Sequence, residues 1–194
     1  MILKIVQAGE AVLRTCAREL TPEEIRSPQI RQLVDWMRET MRDAPGVGLA
    51  APQVGLPLQL AVIEDRADLQ KAIAPEKLAE RDRRPVPFHV IINPVLTLDG
   101  PTAEFFEGCL SVAGFTALVP RSLRAHVECL DENGEPVRIA AEGWYARILQ
   151  HEIDHLEGAL YLDRMHSRSF MTVEHLTRHW NELPIAEVKH RLGV

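Results

Sequence analysis

The chain has 194 residues, a length that suits a single domain able to bury most of its unfolded surface. Hydrophobic residues make up 46% and charged residues 26%, the balance of a globular protein. The net charge of −6 comes with no basic block, which argues against nucleic-acid binding through phosphate contacts.

Residues 1–20 carry short apolar patches and are expected to wrap the outside of the core. Ser27-Pro28 reads as a helix start, with serine as cap and proline at the first helical position. Ile30, Leu33, Val34, Met37 and Met41 follow at helical spacing, so a helix is predicted over 28–43. It stops before GVGLAAPQVG (46–55), too rich in glycine for a helix and too apolar for a solvent loop. Residues 58–65 (LQLAVIED) read as a strand, and the charged, proline-containing run 66–87 as an exposed insertion. Residues 89–98 are β-rich, with Pro94 marking a bulge or edge. Residues 105–112 hold EGCLS. The stretches 124–130 and 136–140 flank Asn133-Gly134, a hairpin signal. Residues 143–156 return to helical spacing, with Gly158 as C-cap, and 167–182 form a second helix within a C-terminal extension (166–194). The expected fold is a single α+β domain, with antiparallel strands packed around one central helix.

That helix carries QHEIDHLEG (150–158). Residues four apart share a helix face, with Cβ atoms roughly 5–6 Å apart. His151 and His155 can therefore meet one metal ion, while Glu152 reaches water held there as a general base. The third ligand is open at this point. A protease pattern with a histidine at 161 fails, because that residue is Tyr161. Glu174 lies 19 residues after His155, a spacing used by other zinc proteases. Cys109 would complete an open thiolate and bis-imidazole site. His175 and His179 are also four apart, but they lack the intervening glutamate and read as a solvated face. No apolar run reaches the ~20 residues of a membrane span. Three cysteines (Cys16, Cys109, Cys129) suggest no disulfide framework. The expectation is a cytoplasmic protein, or an organellar matrix protein whose presequence has been removed.

Three segments stand in order: GVGLAAPQ (46–53), EGCLS (107–111) and QHEIDHLEG (150–158). Together they resemble the signature motifs of peptide deformylases, GxGxAAxQ, EGCLS and QHExDH. The resemblance implies hydrolysis of the formyl group from N-terminal formyl-methionine of nascent polypeptides, with formate released. It implies Cys109, His151 and His155 as metal ligands and Glu152 as general acid and base. Gln53 and the backbone N–H of Leu110 would form the oxyanion site. Backbone at Val47, Gly48 and Gly108, with Glu107 beside it, would bind the substrate as an added strand. The cofactor implied is one divalent metal ion, ferrous iron in the cell, with zinc, nickel or cobalt able to replace it. Asp154 reads equally as an orienting contact or a solvated residue.

Trp144, Arg147 and Ile148 would line the pocket for the methionine side chain. Trp144 and Arg147, together with SVAGF after EGCL, look like the organellar, mitochondrial-type subgroup. Residues 166–194 hold four Lys/Arg and three Glu, so a basic ribosome-docking tail is not carried over beyond transient ribosome proximity. A homodimer, and no direct nucleic-acid or membrane partner, complete the expectations.

Overall fold

The computed structural model describes residues 1–194. After the N-terminal segment come α1 (Pro22–Ile25) and α2 (Pro28–Asp43), then β1 (Gly48–Ala50) and β2 (Leu60–Asp65). Two short helices, α3 (Ala67–Gln70) and α4 (Pro75–Glu80), lead to the long strands β3 (Val86–Cys109) and β4 (Val112–Leu130). They are followed by β5 (Pro136–Glu142), α5 (Gly143–Leu156), β6 (Met171–Thr172), α6 (Val173–His175) and α7 (Ile185–Leu192). The sheet is antiparallel in the order β1-β2-β3-β4-β5, and β6 pairs with β4.

The two main helices cover opposite faces of the sheet. In β2, Leu60 and Val62 join the cluster built on α2, whereas Ala61 and Ile63 join the cluster built on α5. Cover on both faces explains why LAVIED is apolar at consecutive positions rather than alternating. Ser27 caps α2 by accepting from the Ile30 N–H. Leu33, Val34, Met37 and Met41 of α2 are buried, each burial contributing about 1.5–3 kcal/mol.

The strand expected at 89–98 runs on without a break to Cys109 and takes in the first half of EGCLS. It survives Asn93-Pro94 and Gly100-Pro101 by shifting register between Ile92 and Val95 and again between Asp99 and Thr102. Asn93 takes φ 50° at the first bulge, and its side chain exchanges two hydrogen bonds with the Leu20 backbone. Tight pairing of β4 and β5 follows from the 131–135 turn, where Asp131 accepts from the Asn133 and Glu135 N–H groups.

Two expectations need correcting. Residues 66–87 are not merely an exposed insertion: Gln70 is buried, and Arg83 forms a paired bond with fully buried Asp65. Its many charges hid inward-facing partners. The 167–182 helix begins only at Val173, because residues 171–172 extend the sheet beside Phe115 and Thr116. The extension ends in α7, whose Val188 is buried against Phe106 and Leu118.

Candidate metal centre

Helix α5 is buried on nearly every side. Leu149, Ile153 and Leu156 pack on the sheet, and the opposite side presents polar groups. On that polar side the His151 and His155 rings lie 5.1 Å apart at 75°. Cys109 ends β3, just past a register shift at Gly108, and its Sγ lies 3.2 Å from His155 Nε2. One donor atom from each of the three residues falls within 4.8 Å of the others. Burial, with His151 and Arg121 nearby, holds His155 well below its usual pKa, so its imidazole is neutral and able to coordinate. Burial opposes charge on His151, but hydrogen bonds to Cys109 and Glu107 outweigh it and raise its pKa. A soft sulfur and two imidazoles converging on one point fit a divalent transition metal.

Behind the triad lies a buried ionic layer. Glu107 accepts from Arg121 Nε and Nη2, both at 3.0 Å, from Arg147 Nη1 at 2.6 Å and from His151 Nδ1 at 3.0 Å. His151 Nε2 is thereby left for the metal. The sequence reading puts Glu107 and Arg147 among substrate-binding residues. Both border the cleft, but the Glu107 carboxylate is fully engaged with these partners. The Arg147 guanidinium is likewise committed to Glu107, the Val119 carbonyl and the Ala103 carbonyl. Asp154 is buried rather than solvated, held by Arg121 and by two bonds from Arg164 at 2.6 and 2.7 Å.

The triad opens into a cleft of about 470 Å³ whose walls include Val47, Gly48, Gln53, Gly108, Leu110 and Glu152. Trp144, Arg147 and Ile148 line it as well. The Gln53 side-chain Oε1 accepts from the Ala50 N–H at 2.9 Å, which turns Nε2 toward Cys109 Sγ (3.5 Å) and Ser111 Oγ (3.3 Å). A Cβ on Gly48 would sit 2.2 Å from Glu152 Oε1, so only glycine lets this strand pass the carboxylate. At Gly108 an added Cβ would make only ordinary contact, 3.6 Å from the Phe115 carbonyl oxygen, so packing does not demand glycine at this exposed, cleft-lining position. Burial pushes the Glu152 carboxyl up to about 7, with His151 opposing, and Glu152 Oε2 is buried without a partner. Glu174, the alternative ligand, is exposed and bonded to Arg178. His175 and His179 lie on the same exposed segment.

Sequence reasoning missed Arg121 and Arg83. Arg121 left a faint signal, a lone cation inside the buried run ALVPRS of β4. Arg83 left none within its charged neighbourhood.

A cysteine sulfur, two imidazoles and a buried glutamate facing a cleft define a metal-dependent hydrolase. The sequence model of the family described as Polypeptide deformylase matches residues 2–170. A chloroplastic peptide deformylase 1A of Solanum lycopersicum is 48% identical over 98% of this chain and 67% of its own length. The mitochondrial peptide deformylase of Homo sapiens is 42% identical over 87% of this chain and 70% of its own. A Met-Ala-Ser-bound crystal structure of the class I type b enzyme from Acinetobacter baumannii superposes with a TM-score of 0.75. It is 31% identical and covers 85% of this chain and 99% of that one. The chain belongs to the peptide deformylase family and is a metal-dependent deformylase. No helix is long and apolar enough to cross a membrane.

Proposed function

We propose that Cys109, His151 and His155 hold one divalent ion, ferrous iron in the cell, and that the cleft binds the formylated methionine of a nascent chain. The observation that carries this reading is the convergence of the three donors beside a buried glutamate. The bound ion would supply Lewis acidity, making water acidic near neutral pH. Glu152 takes the water proton on its unpartnered Oε2 and releases it to the amine nitrogen as the formamide C–N bond breaks. A carboxyl near neutrality suits both transfers. Gln53 Nε2 and the Leu110 N–H donate to the formyl oxygen as it gains negative charge, each group contributing about 3–4 kcal/mol. β1 is the sheet's terminal strand, so its outer edge at Val47 and Gly48, facing Gly108, accepts the peptide backbone as a further strand.

The two plastid or mitochondrial relatives support an organellar-type subgroup, and the protein works in the cytoplasm or an organelle matrix. It meets nascent chains near the ribosome without binding it through a basic tail, and forms a homodimer.

The test is formate release from formyl-Met-Ala-Ser by anaerobically purified protein loaded with ferrous iron or nickel. Wild type should turn over. Cys109→Ser should lose both metal and turnover, and retention of both would break the ligand assignment.

A further inference from the structure

Beside the cleft, three guanidinium groups and two aromatic rings form one cluster. Arg81 and Arg83 lie 5.2 and 5.4 Å from the centre of the Trp144 ring, and Arg147 lies 5.3 Å from that of Phe105. The two rings meet edge-on at 6.4 Å. Arg147 spends its donors on Glu107 and two carbonyls, but its neighbours do not. Trp144 Nε1 and Arg81 Nε are buried without acceptors. Asp65 takes Nε and Nη2 of Arg83, leaving Nη1 outside that pair. This cluster therefore has more donors than acceptors, and a buried donor without an acceptor is costly.

Arg83 and Trp144 both line the cleft that holds the triad, so an acceptor on an occupant can approach Arg83 Nη1 beside the indole. Trp144 precedes His151 by two turns of α5, about 10.5 Å of helical rise. With the formyl group on the α-nitrogen of the first residue held at the triad, a long unbranched side chain on that residue can reach this wall of the same cleft. A hydrocarbon tip offers no acceptor, a thioether sulfur offers a weak one and a sulfoxide oxygen a strong one.

We propose that Arg83 and Trp144 are specificity-determining residues that read an acceptor at the tip of the first side chain, and that the enzyme also deformylates peptides beginning with N-formyl-methionine sulfoxide. This inference rests on assigning the cleft to the side chain of the formylated residue. The reaction balance is unchanged: water is consumed, the formamide C–N bond breaks, and formate and a free amine leave. The sulfoxide is neither reduced nor oxidised.

The experiment compares kcat/KM for formyl-Xaa-Ala-Ser peptides in which Xaa is methionine, methionine sulfoxide or norleucine. Wild type is run beside Trp144→Phe and beside the double variant Asp65→Asn/Arg83→Met. The double change removes both members of the buried pair, because Arg83→Met alone would strand the buried Asp65 carboxylate. Wild type is expected to process the sulfoxide peptide within about tenfold of the norleucine peptide. That sulfoxide-to-norleucine ratio should fall about tenfold or more in the double variant, the loss one hydrogen bond to a charged donor represents, and less in Trp144→Phe. A purely structural role would lower all three peptides together and leave the ratio in place. A wild-type ratio below that window, or one that neither variant moves, overturns the inference even when formyl-methionine is processed normally. Failure of metal-loaded wild type on formyl-methionine itself would overturn the underlying assignment as well.

Discussion

Two segments of this chain present histidines four residues apart, α5 and the helical stretch 173–180. Their ring separations are close, 5.1 Å for His151–His155 and 5.9 Å for His175–His179. Their surroundings are opposite. The first pair faces Cys109, leans on Glu107 and lies inside the protein. The second stands in solvent, next to an exposed Glu174–Arg178 pair. Helical spacing supplies the proximity in both cases. A binding site additionally needs donors from a distant strand and a buried layer that orients them.

The sharpest way to break this comparison is to exchange the burdens of the two glutamates. Glu152→Gln keeps the shape and the metal ligands but removes the proton acceptor. Turnover is expected to fall on the order of 10²- to 10⁴-fold, with metal content retained. Glu174→Gln should change neither. Loss of metal from the Glu174 variant, read by elemental analysis, would transfer the third-ligand role to it and undo the contrast.

Next in size is the buried ionic layer. Arg121 bonds Glu107 and Asp154 at once, with all three side chains nearly inaccessible. Arg121→Met leaves two carboxylates short of a partner in a dry environment. The expected loss is about 3–5 kcal/mol in denaturant unfolding, together with weaker metal retention as Glu107 releases His151, by roughly 10- to 100-fold. If stability fell and metal affinity did not, Glu107 would be a structural group rather than one that positions His151.

A smaller effect belongs to Glu64, an intermediate case joined to Arg42 by two bonds of 2.7 Å, its carboxylate largely covered and the guanidinium exposed. The bonds from Arg42 hold its carboxyl below the ordinary value of 4.5, against a smaller effect of burial. A carboxyl lowered in the folded state adds stability at pH above its unfolded value, and that contribution disappears as pH falls through the lowered one. Glu64→Gln should therefore cost stability at pH 7 and flatten the decline below about pH 4.5, measured as the urea midpoint against pH. An unchanged slope would mean that the pair is screened as a surface pair is.

How far the sequence disclosed these differences depends on how local each cause is. Ser27-Pro28, Asn133-Gly134 and the period of α2 act within a few residues, and the structure follows them. The HExxH geometry is equally local, and EGCLS supplied Cys109 once the three motifs were taken together. The continuation of the 89–98 strand to Cys109 was not legible, because bulges at Asn93 and Gly100 depend on pairing with β4. Nor were the partners of Glu107. Arg121 lies 14 residues away across a hairpin and Arg147 40 residues away on a helix, and neither spacing has a local signature. Arg83 was concealed further, since a guanidinium paired with buried Asp65 looks in sequence like any other charge in a polar run.

The exposed histidines supply the smallest expected effect and the most direct check on the lesson. His175→Ala and His179→Ala remove rings that make contact with each other and with solvent but with no carboxylate or thiol. Each should shift stability by no more than about 0.5 kcal/mol and leave metal content and formate release unchanged. The double variant should behave as the sum of the singles, because the pair shares no buried partner through which to couple. A metal stoichiometry that fell in the double variant would show that two imidazoles at helical spacing bind an ion without a strand donor or an orienting carboxylate. The contrast between the two segments would then rest on affinity alone rather than on the presence of a built site.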